Sequence, residues 1–169
     1  MTDDKPVPTT EVTPTAVRQV LSHFATGVTA ITANGPNGPV GMAANSFTSV
    51  SLDPPLVLFC AGKTSETWPD IRSAGHFCVN ILGDAIPQLA QQFATKDIDR
   101  FDGVSRHVEA TGAPVLDEAI AFIDCRIVAE HDAGDHVIVV GHVESLGGDD
   151  TGEAGPLVFF RGNYGRFTP

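Results

Sequence analysis

The chain is short of positive charge. Its 169 residues carry 10 Lys and Arg against 21 Asp and Glu, a formal net charge of −11 at pH 7. Neutralising phosphates takes clustered cations, so this balance excludes a nucleic-acid partner and argues equally against an anionic membrane surface. Long apolar runs are missing as well. None approaches the roughly 20 residues of a spanning helix, and no membrane partner is expected. The N-terminus, Met1-Thr2-Asp3-Asp4-Lys5, has neither the basic flank nor the apolar stretch of a secretory signal, so the expected location is cytoplasmic. Cys60, Cys78 and Cys125 are the only cysteines. An odd count, apolar surroundings and no C-x-x-C spacing exclude a disulfide framework and a thiolate zinc site, and predict buried free thiols. The six histidines form neither H-x-H nor H-E-x-x-H, so no metal site is expected. G-x-G-x-x-G after a strand and G-x-x-x-x-G-K-[ST] are both absent, which excludes a Rossmann domain and a P-loop. The G-x-S-x-G of a hydrolase elbow is absent too.

What is present is one domain's worth of ordinary globular sequence, 42% apolar, long enough to bury a core without staples. Residues 1–12 are rich in Pro, Thr and charge and read as a disordered tail ahead of a single domain at 13–169. Thr13 and Pro14 open a helix with Val17, Val20, Leu21 and Phe24 on one face, and Gly27 is its stop. Strands are expected at 28–33, 39–44, 46–51, 56–61 and 76–82. Short helices are expected at 65–73, with Trp68 against the core, and at 86–95. Two long strands, 121–131 and 136–146, flank a hairpin at 132–135. An acidic, Gly-rich loop follows, and 156–161 is the last strand. Many strands, few helices and frequent turn signals predict an all-β barrel with appended helices.

Four segments carry chemistry-bearing residues. Asn45 to Ser51 holds one amide and four hydroxyls in seven positions. On an extended backbone these offer many donors and little bulk, which suits a flat, phosphate-bearing ligand or simply a polar edge strand. Alternation puts Ser49 and Ser51 on one face and Thr48 on the other. Lys63-Thr64-Ser65 is a cation beside two hydroxyls, either a phosphate cradle or a solvated loop. His136 stands at the hairpin end, and the C-terminal Tyr164 and Arg166 flank a glycine.

Five stretches are similar, in order and spacing, to one family. They are Phe24-Ala25-Thr26-Gly27-Val28-Thr29, the Asn45–Ser51 segment with Pro54-Pro55, Phe77-Cys78-Val79-Asn80-Ile81-Leu82, Gly134-Asp135-His136, and Phe160-Arg161-Gly162-Asn163-Tyr164-Gly165-Arg166-Phe167. From about Val17 to Phe167 the chain resembles the flavin reductase family of FMN-binding split-barrel proteins. The resemblance implies a mostly β, Greek-key-like split barrel with a few helices. It implies NAD(P)H-dependent reduction of FMN or FAD, with NADH or NADPH as co-substrate and hydride passing from nicotinamide to flavin. It also implies a homodimer with flavin near the interface, and delivery of reduced flavin to a separate flavin-dependent oxygenase.

Site residues follow from the same resemblance. Thr26, Ala44, Asn45, Ser46, Thr48, Ser49, Val50 and Ser51 would contact the flavin, partly through backbone N–H groups, with Cys60 beside them. Lys63, Thr64 and Ser65 would meet its phosphate, and Phe101 would cap it from a loop. His136 would be the catalytic residue, near the nicotinamide. Tyr164 and Arg166 would lie near the dinucleotide or the flavin, and His142 is a further candidate for the same cavity. The alternatives are an FMN-binding electron carrier and a flavin-binding scaffold, neither turning over pyridine nucleotide. The Gly-Asp-His turn and the Asn-Tyr-Gly-Arg segment favour the reductase.

Overall fold

The computed structural model describes residues 11–149 and 151–168. The expected tail therefore falls almost entirely outside the described residues. Helix α1, Pro14–Leu21, begins as expected: the Thr13 hydroxyl accepts a hydrogen bond from the Ala16 N–H at 3.2 Å, with proline in the first turn. The apolar pattern runs on to Gly27, but the helix ends at Leu21. Tight i→i+3 bonds from His23 to Val20 and from Phe24 to Leu21 unwind it. Its apolar stripe is uncovered, with Val20, Leu21 and Phe24 at 66%, 64% and 75% exposed.

Seven antiparallel strands form the main sheet: β2 Thr29–Gly35, β3 Gly38–Ala44, β4 Thr48–Leu52, β5 Pro55–Gly62, β6 His76–Ile81, β9 Ala121–Ala133 and β10 His136–Gly148, in the order β3-β2-β6-β9-β10-β5-β4. Strands from both ends of that order share one core. Ile31 of β2, Val57 and Phe59 of β5, Phe77 of β6 and Val139 of β10 pack together, and Val40 and Met42 of β3 lie against them. The sheet is therefore rolled into a mostly β barrel, split between β3 and β4. Ser46 bridges the split: its Oγ accepts from the Cys60 N–H at 2.9 Å and donates to the Cys60 carbonyl at 3.2 Å.

A second core lies outside β2. It joins Ala30, Leu82 and Leu157 to Leu89, Ala90 and Phe93 of α3, Pro87–Ala94. Helix α3 sits so close that a Cβ on Gly41 of β3 would lie 2.6 Å from Phe93. Helix α2, Trp68–Ala74, buries Trp68 as expected.

Three short elements have no counterpart in the sequence pattern. β1 is Thr26–Gly27, and β7 Arg106–Val108 pairs with β8 Pro114–Leu116. The strands do not stop at Arg161 either. β11 Leu157–Phe160 turns through Arg161 and Gly162, both at positive φ (49° and 80°), into β12 Asn163–Arg166. Positive φ at both central positions is the type I′ geometry that matches strand twist. β1, β11 and β12 form a three-stranded sheet of their own.

No disulfide links the three cysteines. Cys78 and Cys125 are buried and Cys60 is half-buried. Burial, with Asp124 adding to it, pushes the Cys125 thiol up to about 12 and the Cys78 thiol higher still. Among the described residues no helix is long and apolar enough to cross a membrane, and no cluster of metal-ligating side chains is found.

Candidate active site

Two clefts meet at Ala43. The smaller, ≈ 110 Å³, is lined by Val28, Ala43, Ala44, Asn45, Phe159 and Tyr164. The larger, ≈ 290 Å³, runs from Met42 and Ala43 past Gly62, Thr64 and Ser65 to Thr67, Phe93, Lys96 and Arg100. The end of β3 thus makes a wall of small side chains common to both. Its alanines project little, and Thr29 anchors the strand end by donating to the Ala44 carbonyl at 2.7 Å. The Tyr164 end is apolar and aromatic, with Tyr164 5.5 Å from the Phe159 ring. Burial raises the pKa of the Tyr164 phenol, which stays neutral and able to donate. The far end is polar and cationic.

Several expected residues gather here. Ala44 and Asn45 line the smaller cleft, and Thr64 and Ser65 the larger. Ser65 also accepts from the Trp68 N–H at 3.2 Å, which fixes the loop into α2. Thr26 pairs with Phe159, and its hydroxyl is buried with no hydrogen-bond partner among the described residues. A buried unpaired hydroxyl beside a cleft wall has a donor to give.

Others are placed elsewhere. Thr48, Ser49, Val50 and Ser51 lie on β4, the outer edge of the sheet, and line neither cleft. The expected alternation is also broken. A bulge at Val50 sets Ser49 opposite Val57 but Ser51 opposite Leu56, so Ser51 shares a face with Thr48 instead of Ser49. Ser46 and Cys60 hold each other across the barrel split.

Phe101 is 7% exposed, packed edge-on to Phe93 at 5.2 Å and covered by the Arg106 guanidinium at 5.1 Å. Both the edge and the face of its ring are thus engaged. Arg166 is exposed beside Asp84 at 3.8 Å. His142 pairs with Glu144 at 3.3 Å and lies six residues along β10 from His136, about 20 Å at strand rise. It is not in the same cavity.

The hairpin carries the remaining candidates. Gly134, at φ 66°, is the first of two turn residues between Ala133 and His136, where only glycine is unstrained. His136 faces Gly62 across the ladder, and a Cβ on Gly62 would lie 3.8 Å from His136 Nε2. Since Gly62 lines the larger cleft, His136 stands at its rim. Its Nδ1 is 2.8 Å from the Asp135 carboxylate. That hydrogen bond, then the charge of His136, holds the Asp135 carboxyl below its usual range. An ionised Asp135 accepts from Nδ1–H and leaves Nε2 directed at the cleft side.

Lys63 donates its backbone N–H to the Asp135 carbonyl at 2.9 Å, and its Nζ pairs with Asp132 at 3.0 Å. It does not line the larger cleft. The cations there are Lys96 and Arg100, which the motifs passed over. The available signal was their four-residue spacing between α3 and Phe101 in a chain poor in cations.

The donor set suits a flavin. An apolar aromatic end fits a flat ring, small residues let it approach the backbone, and hydroxyls with two cations fit a phosphate. The chain matches the flavin reductase like domain over residues 21–168. It is 44% identical over 157 residues to a flavin reductase of Pseudomonas putida, covering 92% of this chain and 91% of that one. It is 40% identical over 159 residues to the reductase subunit HsaB of a flavin-dependent monooxygenase from Mycobacterium tuberculosis, covering 94% and 85%. Among solved structures, the NADH:FAD oxidoreductase SgcE6 of Streptomyces globisporus C-1027, in complex with NAD and FAD fragments, superposes with a TM-score of 0.85 at 36% identity over 92% of this chain and 93% of that one. The chain belongs to the flavin reductase-like family.

Proposed function

We propose that this chain is an NAD(P)H:flavin oxidoreductase whose working site is the pair of clefts meeting at Ala43. The continuity of an apolar, small-residue wall with a cationic, hydroxyl-lined end carries the reading. A bound flavin supplies the hydride acceptor and NADH or NADPH the hydride.

The chain's own residues bind, orient and exclude water. Val28, Ala43, Ala44 and Tyr164 give the ring a dry wall. Thr26 and Asn45 offer hydrogen bonds at its edge, and Thr64 and Ser65 serve the phosphate end. His136, held through Nδ1 by Asp135, orients the nicotinamide from the rim. A hydride step needs no strong protein acid or base, which is consistent with a site of hydroxyls, amides and one histidine.

The protein hands reduced flavin to a separate flavin-dependent oxygenase. Relatives named as monooxygenase reductase subunits support this step. It works in the cytoplasm, where pyridine nucleotides are held. It works as a homodimer, a reading supported by the uncovered apolar stripe of α1; mass in solution checks it.

The function is tested by NAD(P)H consumption, which is expected to require added flavin. The role of His136 has a separate test. In His136→Ala, turnover per NAD(P)H concentration should fall by roughly tenfold, on the order of 1.4 kcal/mol, because an unheld nicotinamide spends less time in a reactive pose. Flavin affinity, read by fluorescence quenching, should stay within a few-fold. Unchanged kinetics would remove His136 from the site.

A further inference from the structure

We propose that Asn37 is a site of spontaneous covalent modification, deamidation through a succinimide, and that the fold confines the reaction to Asn37 although Asn34 stands in the same Asn-Gly sequence. The chain holds two such dipeptides, Asn34-Gly35 and Asn37-Gly38, at the tip of the β2–β3 hairpin. In the reaction the Gly38 backbone nitrogen, having lost its proton to hydroxide, attacks the side-chain amide carbon of Asn37. A C–N bond forms, and the side-chain nitrogen leaves as ammonia with a proton taken from water. Water then opens the five-membered ring at either of its carbonyls, which gives aspartate or isoaspartate. Amide and water become carboxylate and ammonium, nothing is oxidised or reduced, and the chain and water are the only reactants.

The two dipeptides are alike in chemistry and different in setting. Asn34 lies on β2, paired with Pro39 of β3, and its Nδ2 donates to the Gly112 carbonyl at 2.5 Å. Gly35 is hemmed in, since a Cβ there would lie 3.2 Å from the Asp70 Cβ and 3.3 Å from the Val40 side chain. Attack at Asn34 therefore requires the side-chain bond to break and the strand end to open. Asn37 is the second of two turn residues, after Pro36, between the paired Gly35 and Gly38. It is exposed, and its side chain makes no hydrogen bond among the described residues. Gly38 stands at φ 119°, with no atom within 4 Å of where a Cβ would be. Glycine alone adopts that backbone freely, and it leaves the attacking nitrogen unshielded while the turn bends into the ring. The turn lies at the end of β3 remote from the clefts, six residues before Ala43, about 20 Å at strand rise. Conversion adds a negative charge to a chain already at −11. Isoaspartate also lengthens the backbone inside a two-residue turn, whose length sets the register of the hairpin.

The test follows the purified full-length protein during incubation in neutral and mildly alkaline buffer. Tryptic digestion releases residues 19–63 as one peptide, and its fragment-ion masses separate the two asparagines. Asn37 should gain about one dalton, resolve into aspartate and isoaspartate forms, and convert faster as the pH rises. Asn34 should convert more slowly by roughly tenfold or more, because its hydrogen bond and its strand pairing must break first. In urea, where the hairpin is lost, the two rates should come within a few-fold of each other. Asn37→Gln should remove the reaction at this turn, because closing the larger ring is slow. Equal rates at the two asparagines in the folded protein, or conversion of Asn34 with Asn37 intact, would overturn the assignment. So would Asn37 that converts in urea but not in the folded protein, or that yields aspartate without isoaspartate, the mark of direct hydrolysis.

Discussion

Ala43→Leu is expected to abolish useful flavin binding while the protein stays folded. Ala43 is the one residue that lines both clefts. A leucine there adds three carbons to the wall where ring and phosphate ends would join. Forcing a ligand past added methylenes costs about 1–3 kcal/mol, which is about tenfold to more than hundredfold in affinity. The loss should be alike for FMN, FAD and riboflavin, because all three carry the ring and side chain that would pass this point. Ala43 also packs against the second core, so urea denaturation is measured alongside to separate a loss of binding from a loss of stability. Flavin affinity unchanged by Ala43→Leu would show that the ligand binds elsewhere.

Asn80→Leu should give the largest loss of stability. Asn80 is fully buried, with Thr32 and Asp124 equally so nearby. Its Nδ2 donates to the Ala30 carbonyl at 3.1 Å and the Thr32 hydroxyl at 3.0 Å, and its Oδ1 accepts from the Leu116 N–H at 2.7 Å. Thr32 donates in turn to the Pro114 carbonyl at 2.5 Å. Asp124 accepts from the Thr111 N–H at 2.7 Å and from the Thr111 hydroxyl. These polar residues lash the segment from Thr111 to Leu116, which includes β8, onto β2, β6 and β9. Leucine matches asparagine in size but leaves the Leu116 N–H unpaired in a dry interior. Each orphaned buried group costs about 1–3 kcal/mol, so a total of roughly 3–5 kcal/mol is expected from urea midpoints at constant m. A change under about 1 kcal/mol would mean that water replaces the amide.

Much of this architecture was legible in sequence for local reasons. Thr13-Pro14 caps α1 with its own side chain, and Gly134 is the residue that a two-residue hairpin turn requires. Those signals act within a few residues. The misses are tertiary. β1, β7, β8 and β12 are two to four residues long and exist because partners from elsewhere in the chain pair with them. The bulge at Val50 depends on β5, and no alternation pattern can announce it.

The site divides the same way. Ala44, Asn45, Thr64 and Ser65 reach the clefts because they sit where β3 and β5 end, which the motifs mark. The partners of Lys63 and Phe101 are distant in sequence, Asp132 on the hairpin and Phe93 on α3, and no local pattern announces them.

The central claim is a flavin-dependent oxidation of pyridine nucleotide at these clefts. The most direct measurement is the rate of NADH and NADPH consumption by the purified protein, with FMN, FAD, riboflavin or no flavin added. Consumption with at least one nucleotide, saturating with flavin and absent without it, is the predicted result. No oxidation of either nucleotide with any of the three flavins, by protein that is folded and binds flavin, would contradict it.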